Sequence, residues 1–131
     1  MTMLYNTDPA PVDITAVKGD TINMTFHVAE ELTATARKFH VSLNGDPADG
    51  TAYDLADLRI QVRRKDGLLL KEWLSGVSPS DIVVVDNTYH LYDPDGFLES
   101  GHFDYEVEEH DGSGYFCIQR GSFWVKKEIT I

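Results

Sequence analysis

The chain has 131 residues, of which 42% are hydrophobic and 25% are charged, so its composition is that of one globular domain and excludes disorder throughout. Its 22 acidic and 11 basic residues give a formal net charge of −11, which argues against nucleic acid and anionic membranes as partners. The single cysteine, Cys117, excludes a disulfide within the chain, and its place in an alternating segment predicts a packed thiol.

The first 13 residues are predicted to form an arm. They include Pro9 and Pro11 and have little apolar surface to bury. They also lack the basic flank and apolar stretch of a secretory signal, and no segment has the roughly 18 apolar residues of a membrane helix. We expect an N-terminal arm over residues 1–13 that reaches a neighbouring subunit, followed by a single domain over residues 14–131.

The first clear strand begins after Lys18-Gly19-Asp20. Apolar and polar side chains alternate from Ile22 to Val28, which predicts a strand with one buried face. Residues 29–39 leave two alternatives open, namely two or three turns of helix or a hairpin. Residues 44–57 are rich in Gly, Pro and Asp and are predicted to form a polar loop.

Two hairpins are predicted from turn-forming pairs between alternating segments. Asp66-Gly67 favours a type I′ turn, and Asp86-Asn87 can adopt similar left-handed conformations. The strands that they join run over residues 58–65 and 68–74 in the first hairpin and over residues 82–85 and 88–92 in the second.

A third hairpin is predicted around a turn at residues 110–114. Before the turn, Phe103, Tyr105 and Val107 share one face and acidic residues occupy the other. After it, the alternation resumes and Gly121 interrupts it, which predicts a bulge. The inward positions expected in this last strand are Phe116, Ile118, Phe123, Val125, Ile129 and Ile131.

Eight or nine short strands with little helix predict an all-β fold of antiparallel sheets that each bury one face. We expect an immunoglobulin-like β-sandwich, with a closed β-barrel as the alternative because side-chain periodicity does not report closure. Six aromatic residues are expected in the core or at an interface: Phe26, Trp73, Phe103, Tyr105, Phe123 and Trp124.

Neither the histidines nor the acidic turn predicts a metal site. The loop Asp93-Pro94-Asp95-Gly96 has its glycine fourth rather than sixth, unlike a calcium loop, and is expected to be a solvated turn. The five histidines match no metal-ligand spacing and are expected at the surface. They are His27, His40, His90, His102 and His110.

Other candidate groups also lack a catalytic pattern. Ser75-Gly76 and Ser122 lie in no nucleophile motif. Four loop aspartates are expected to be screened by water, and a basic cluster is expected on the solvated side and end of one strand. The loop aspartates are Asp46, Asp49, Asp54 and Asp57. The basic cluster consists of Arg59, Arg63, Arg64 and Lys65. We therefore expect a protein that is not an enzyme, with no catalytic, cofactor-binding or metal-binding residues and no cofactor.

Three phrases occur in a fixed order along the chain. They are residues 17–21 (VKGDT), residues 53–55 (YDL) leading to 58–63 (LRIQVR), and residues 98–107 (LESGHFDYEV) leading to 120–130 (RGSFWVKKEIT). From about residue 14 to 131 the chain resembles the small β-sandwich domain of phage baseplate upper proteins and of related tail or neck accessory proteins. The stretch from Ala29 to Gly50 departs from the simplest pattern and is either a contact element or a longer hairpin.

This resemblance implies a structural part of a virion that is assembled in the bacterial host cytoplasm and has no catalytic residues. Other virion proteins are the expected partners, and the chain is expected to form a homo-oligomer within a symmetric assembly. Edge strands of a sandwich can pair with neighbouring subunits by strand addition.

A carbohydrate-binding or host-adhesion module is the main alternative, with a host glycan as the ligand. An accessory domain of a hydrolase is a second alternative. The aromatic residues that would form a glycan platform are Tyr53, Tyr89, Tyr92, Phe97 and Tyr115.

Overall fold

A computed structural model describes residues 6–77, 81–110, 112 and 114–127 of the chain. These residues form twelve strands and no helix. In chain order the strands are β1 (Asn6–Asp8), β2 (Ala10–Pro11), β3 (Ile14–Val17), β4 (Ile22–Leu32), β5 (Ala36–Leu43), β6 (Thr51–Ala52), β7 (Asp57–Arg63), β8 (Leu69–Leu74), β9 (Ile82–Val85), β10 (Thr88–Asp93), β11 (Gly101–His110) and β12 (Tyr115–Lys126).

The strands form two six-stranded sheets. The first sheet has the order β1-β5-β4-β10-β9 with β6 beside β4, and the second has the order β2-β12-β11-β7-β8 with β3 beside β12. The all-β prediction is confirmed, and the sheets do not close into a barrel. The expectation of wholly antiparallel sheets is wrong, because β1 pairs with β5, and β2 and β3 pair with β12, in parallel. No hairpin joins these N-terminal strands to their partners, so no turn imposes an antiparallel direction.

One hydrophobic core receives side chains from both sheets. Phe26 of β4 and Val62 of β7 are both fully buried in it. The rings of Phe39 in β5 and Phe116 in β12 lie 6.4 Å apart across the layers. This layering is consistent with the predicted sandwich. Trp124 is 41% exposed, whereas the other five aromatic residues predicted for the core or an interface are buried.

Residues 29–39 form a hairpin and not a helix. β4 continues to Leu32 and the chain returns as β5. Thr33 shapes the turn, because its N–H donates to the Ala36 carbonyl (2.9 Å) and its hydroxyl oxygen accepts from the Ala36 N–H (3.0 Å). Threonine thus stabilises a turn here, as its short hydroxyl side chain commonly does. The predicted loop over 44–57 is confirmed except for β6 and the first residue of β7.

The hairpins β7–β8 and β9–β10 both form, but the predicted type I′ turns are wrong. Between β7 and β8, only Gly67 has a positive φ (95°), and hydrogen bonds from Arg64 N–H to Leu68 O and from Gly67 N–H to Arg64 O enclose three residues. Such a loop is a type I turn followed by a left-handed glycine. Between β9 and β10, Asp86 has a φ of 54°, whereas Asn87 is not left-handed.

The bulge in β12 lies at Ile118 and not at Gly121, where it was predicted. Val107 faces Gln119 and Glu108 faces Cys117, so Ile118 has no residue opposite it in β11. Ile118 and Gln119 therefore both point into the core. This extra residue shifts the inward-facing positions of β12 from even-numbered to odd-numbered residues. Phe123 and Val125 therefore lie inward, as predicted. Ile129 and Ile131 lie outside the described residues.

Residues 6–13 lie along the sheets of their own chain. β1 adds to the first sheet and β2 to the second, and Ala10 is buried between them. Val12 donates its N–H to the Arg120 carbonyl (3.0 Å) and accepts the Tyr105 hydroxyl. These residues thus pair with strands of both sheets. Residues 1–5 of the predicted arm lie outside the described residues.

Gly121 is the position at which this N-terminal segment requires a glycine. A Cβ added there would overlap the Val12 carbonyl, so either the segment or β12 would have to shift. We expect Gly121→Ala to lower the free energy of unfolding by about 1–3 kcal/mol, measured by urea denaturation. The matched control is Gly114→Ala, whose added Cβ meets nothing within 4 Å and whose effect should stay within about 0.5 kcal/mol. Equal stability of the two variants would contradict the packing of Val12 on β12.

Candidate functional site: polar junctions between elements

Three polar side chains of the described residues are buried: Asp93, Glu109 and Gln119. Each one joins elements that are distant in the sequence. Since a buried polar group without a partner destabilises a fold, the contacts of these three residues indicate what the polar interior of the protein does.

The first junction surrounds Asp93 at the end of β10. Its Oδ2 accepts hydrogen bonds from Trp73 Nε1 (2.9 Å) and from Lys71 Nζ (2.7 Å), both on β8 of the other sheet. Its Oδ1 accepts the backbone N–H groups of Asp95 (3.0 Å) and Gly96 (3.3 Å). The expectation of a solvated turn is therefore wrong for Asp93, because β10 directs this side chain inward.

The Asp93 carboxylate has a fixed charge. Burial alone raises its pKa, but the hydrogen bonds from Lys71, Trp73 and the Asp95 backbone outweigh burial and lower the pKa below the ordinary value of 3.8. Asp93 is thus an anion at neutral pH and accepts four donors. These features suit a structural anion that fixes β8 to the loop after β10 better than a group that exchanges protons.

An open groove of about 500 Å³ lies beside this junction. Its lining is mixed, with Leu70, Phe97 and Leu98 as apolar members and Lys71, Asp95 and Glu99 as charged ones. Lys71 is bonded to Asp93, and Glu99 accepts from Arg64 at 2.8 Å. Lys71 and Glu99 are therefore both bonded to partners within the same chain.

The second junction surrounds Glu109 on β11. Its Oε1 accepts the Tyr53 hydroxyl (2.5 Å), and its Oε2 accepts the Ala56 N–H (3.0 Å). Arg37 donates to Glu30 (2.7 Å) and to the Tyr53 hydroxyl (3.3 Å), and so extends the junction to the first sheet. Burial, followed by the hydrogen bond to Glu109, raises the pKa of Tyr53 to about 12. The phenol is therefore a neutral donor at ordinary pH.

Arg37 is also held by aromatic rings. Its guanidinium carbon lies 5.4–5.6 Å from the ring centroids of Phe39, Tyr53 and Phe116. Cations are attracted to the faces of such rings at this separation. The Arg37 side chain therefore lies within the cluster formed by these three rings.

The third junction is a chain of hydrogen bonds centred on Gln119. The Tyr89 hydroxyl donates to Gln119 Oε1 (2.5 Å), and Gln119 Nε2 donates to the Tyr105 hydroxyl oxygen (2.9 Å). Tyr105 in turn donates to the Val12 carbonyl. Burial raises the pKa of both tyrosines, which keeps them protonated as donors. In the described part of the chain, every buried side-chain nitrogen and oxygen has a partner.

The histidines and loop aspartates do not converge on a common site. Four histidines are half-buried and His102 is exposed, and the four loop aspartates are exposed. His27 lies 3.4 Å from Asp46, and Thr25 is hydrogen-bonded to His90 at 2.7 Å. No group of three or more metal-binding side chains occurs within the described ranges.

The serines and the cysteine are placed as packing residues. The Ser75 hydroxyl oxygen accepts the Leu58 N–H (2.7 Å) at the end of the β7–β8 hairpin, and Ser122 donates its backbone N–H to Asp13 (3.0 Å). Cys117 is half-buried, and burial followed by the charge of Glu106 raises its pKa to about 11. Its sulfur is thus a thiol, the poorly nucleophilic form.

The predicted basic cluster is engaged by oxygen atoms of its own chain. Arg59 bonds to Glu108 (2.9 Å), Arg64 to Glu99 (2.8 Å), Lys65 to Asp104 (2.5 Å), and Arg63 to the Gly67 carbonyl (3.0 Å). Exposed ion pairs such as Lys65 with Asp104 add little stability. The three carboxylates offset the charges of Arg59, Arg64 and Lys65, whereas the Gly67 carbonyl is neutral and does not offset that of Arg63.

The five aromatic residues proposed as a glycan platform do not share a surface. Tyr89 and Phe97 are buried in the core, and Tyr53 is half-buried at the Glu109 junction. Tyr92 is exposed on the first sheet, and Tyr115 begins β12 of the second sheet. These five side chains therefore do not form a shared surface on which a glycan could stack.

No family model matches the chain, and no curated protein matches it. Within the described ranges, the structure contains no helix of the length and apolar character needed to cross a membrane.

Asp93, Glu109 and Gln119 are the site residues that the sequence interpretation missed. Gln119 gave no signal of its own, because the bulge at Ile118 brings it inward. For the other two residues a signal existed, because Asp93 continues the inward positions of Tyr89 and Leu91, and Glu109 continues those of Tyr105 and Val107 by the same two-residue alternation. Polar residues at the ends of buried faces are thus candidates for junctions between strands.

Removal of the Asp93 charge should destabilise the fold. We expect Asp93→Asn to lower the free energy of unfolding by about 1–3 kcal/mol at pH 7, because an amide cannot accept the same charge-assisted hydrogen bonds. The control is Asp95→Asn, which changes an exposed side chain and should have an effect within about 0.5 kcal/mol. Urea denaturation measures both, and equal stability of the two variants would contradict this role of Asp93.

The cost of Asp93→Asn should also depend on pH. Because the pKa of Asp93 is lowered by folding, its ionised form stabilises the folded state fully above the pKa of the unfolded chain. This contribution is lost as the pH falls through the lower pKa of the folded state. The difference between wild type and Asp93→Asn should therefore shrink as the pH falls below about 4, and a difference that grows in that range would contradict the assignment.

Proposed function

We propose that the chain is a non-enzymatic structural subunit of a tailed-bacteriophage virion and acts by contacts with other virion proteins of the tail, baseplate or neck. The ordered occurrence of the three phrases described above carries this proposal. Assembly takes place in the cytoplasm of the bacterial host, and a domain without disulfides suits that reducing compartment.

The first phrase, residues 17–21, lies where the turn before β4 is hydrogen-bonded to the end of β12 and to the loop after β10. Lys18 donates its N–H to the Lys126 carbonyl at the end of β12 (2.9 Å), and Gly19 donates to the Phe97 carbonyl (2.9 Å). A Cβ on Gly96 would overlap the Asp20 carbonyl, so the two loops are in close contact. This phrase therefore fixes the entry to β4 against the C-terminal half of the chain.

The second phrase, residues 53–55, is also hydrogen-bonded to distant parts of the chain. Tyr53 donates its N–H to the Val28 carbonyl (3.1 Å), and Leu55 donates to the Asp86 carbonyl (2.9 Å). The Tyr53 hydroxyl reaches Glu109 of the other sheet. The phrases thus include residues that hold the shape of the domain, and this supports an architectural role for them.

We also infer that the sandwich is immunoglobulin-like. The order β12-β11-β7-β8 corresponds to strands G-F-C-C′ of such a domain, and β4-β10-β9 corresponds to B-E-D. β5 then occupies the edge at which strand A normally lies. Since β5 belongs to the segment from Ala29 to Gly50, we interpret that insertion as a longer hairpin that supplies an edge strand.

The chemistry of the polar groups supports attachment rather than catalysis. Asp93 and Glu109 are each engaged by several donors, and Cys117 is held as a thiol. A glycan-binding function is not favoured, because Tyr89 and Phe97 are in the core.

The proposal predicts that the chain is a component of finished particles. In virions of the phage that encodes it, purified on a density gradient, quantitative mass spectrometry should find the chain at a fixed molar ratio to the tail or baseplate proteins. A non-structural protein from the same infected lysate serves as the control and should be depleted from the same fractions. Depletion of the chain to the level of that control would contradict a virion role.

A further inference from the structure

The four outer edges of the two sheets differ in how they are protected from pairing with another chain. β1 has three residues, ends in Asp8 and is followed by Pro9, and β2 contains Pro11. β8 carries Lys71 and Glu72 within the strand. Short length, proline and charge are the usual means by which natural proteins prevent edge-to-edge pairing.

β9 contains neither proline nor charge. β3, which continues the β2 edge along β12, also contains neither, but of these two strands only β9 has large apolar side chains exposed to solvent. The sequence of β9 is Ile82-Val83-Val84-Val85, and β-branched residues favour strand pairing. Val83 and Val85 point away from the core and are 54% and 61% exposed. In a chain of net charge −11, an uncharged edge is a surface at which two acidic copies can approach each other.

The backbone of β9 has pairing groups on its outer side. Tyr92 donates its N–H to the Asp81 carbonyl (3.0 Å), so residues 81, 83 and 85 direct their backbone groups toward β10 by the alternation of an antiparallel ladder. The N–H and C=O groups of Ile82 and Val84 therefore point outward. Among the described residues, β10 is the only strand that pairs with β9.

We propose that β9 pairs in antiparallel fashion with β9 of a second copy of this chain, about a two-fold axis at Val83. The inference rests on the proposed function, since it names the contact by which copies meet in a symmetric assembly. The pairing joins the first sheets of two copies into one continuous sheet.

The pleat limits the two-fold axis to Ile82, Val83 or Val84, and the axis at Val83 is the one that pairs both outward residues within β9. Ile82 pairs with Val84 of the second copy, and the reciprocal pair forms on the other side of the axis. Val83 then faces Val83 of the second copy in a non-hydrogen-bonded pair, and Val85 faces Asp81 of the second copy. A shift by one residue would place Asp81 opposite Asp86 and would direct unmatched backbone groups at each other, so both charge and geometry oppose it.

The strength of this contact is limited by its length. A four-residue strand pair buries far less than the roughly 1,600 Å² of a standard stable interface. We therefore expect weak self-association of the isolated chain, which repetition in an assembly strengthens.

Two lysine variants with the same change of net charge test the register. In Val83→Lys, the two lysines oppose each other across the axis, and the dissociation constant of the dimer should rise about fivefold or more. In Val85→Lys, each lysine faces Asp81 of the second copy, so self-association should be retained or strengthened. Sedimentation velocity over a wide range of concentrations measures all three proteins, and circular dichroism checks that both variants are folded.

Cysteine cross-linking provides a second measurement, in a Cys117→Ser background. The Cα atoms of a non-hydrogen-bonded pair lie about 4.5 Å apart, which is within the range of a disulfide. Val83→Cys should therefore give a disulfide-linked dimer under mild oxidation, whereas Val85→Cys should give markedly less.

The outcomes separate the inference from the proposed function. A wild-type chain that stays monomeric at the highest concentrations, or equal effects of the two lysine variants, would overturn β9 pairing. Presence of the chain in virions would still support the structural role in that case. Conversely, β9-dependent dimers of a chain depleted from virions would support the pairing and contradict the virion role.

Discussion

The fold depends on a buried chain of hydrogen bonds that crosses all its layers. Tyr89 of the first sheet, Gln119 and Tyr105 of the second, and the backbone of Val12 are linked in sequence. Gln119 reaches the core because the bulge at Ile118 changes the phase of β12. Without that extra residue, Gln119 would point to solvent and the two tyrosine hydroxyls would lose their shared partner. In a low-dielectric interior such a loss is costly, so the bulge fixes the relative position of the sheets and of the N-terminal segment.

Local alternation was sufficient to predict most strands, because each strand buries one face and shows that fact in its own residues. The hairpin partners followed from turn residues such as Asp66 and Gly67. The parallel pairing of β3 with β12 could not be predicted in this way, because Ile14 and Phe123 are brought together by tertiary packing alone. The position of the bulge was missed for a related reason. Gly121 marks a close approach of Val12, a contact with a distant segment, and not an irregularity of its own strand.

The polar junctions bind the buried polar groups of the described residues to partners within the same chain. Once Asp93, Glu109 and Gln119 are engaged by distant elements, their energetic role is to define the shape of the domain. Interactions with other molecules then depend on the outer faces and edges. Both sheets carry ion pairs, for example Arg59 with Glu108 on the second sheet and Arg37 with Glu30 on the first. Charged pairs retain water, so their burial against a partner is costly on either sheet.

Net charge and edge structure together limit how copies of the chain can meet. A charge of −11 on each copy produces repulsion that acts over roughly the Debye length, about 8 Å at physiological salt, so the proposed contact between copies has to be local. Asp81 and Asp86 border β9 and make the neutral segment between them short. The proposed β9 pairing is a short neutral contact within an acidic surface, and we expect it to form and break readily. Reversible pairing of this kind suits a subunit that becomes fixed only when several weak contacts are made at once.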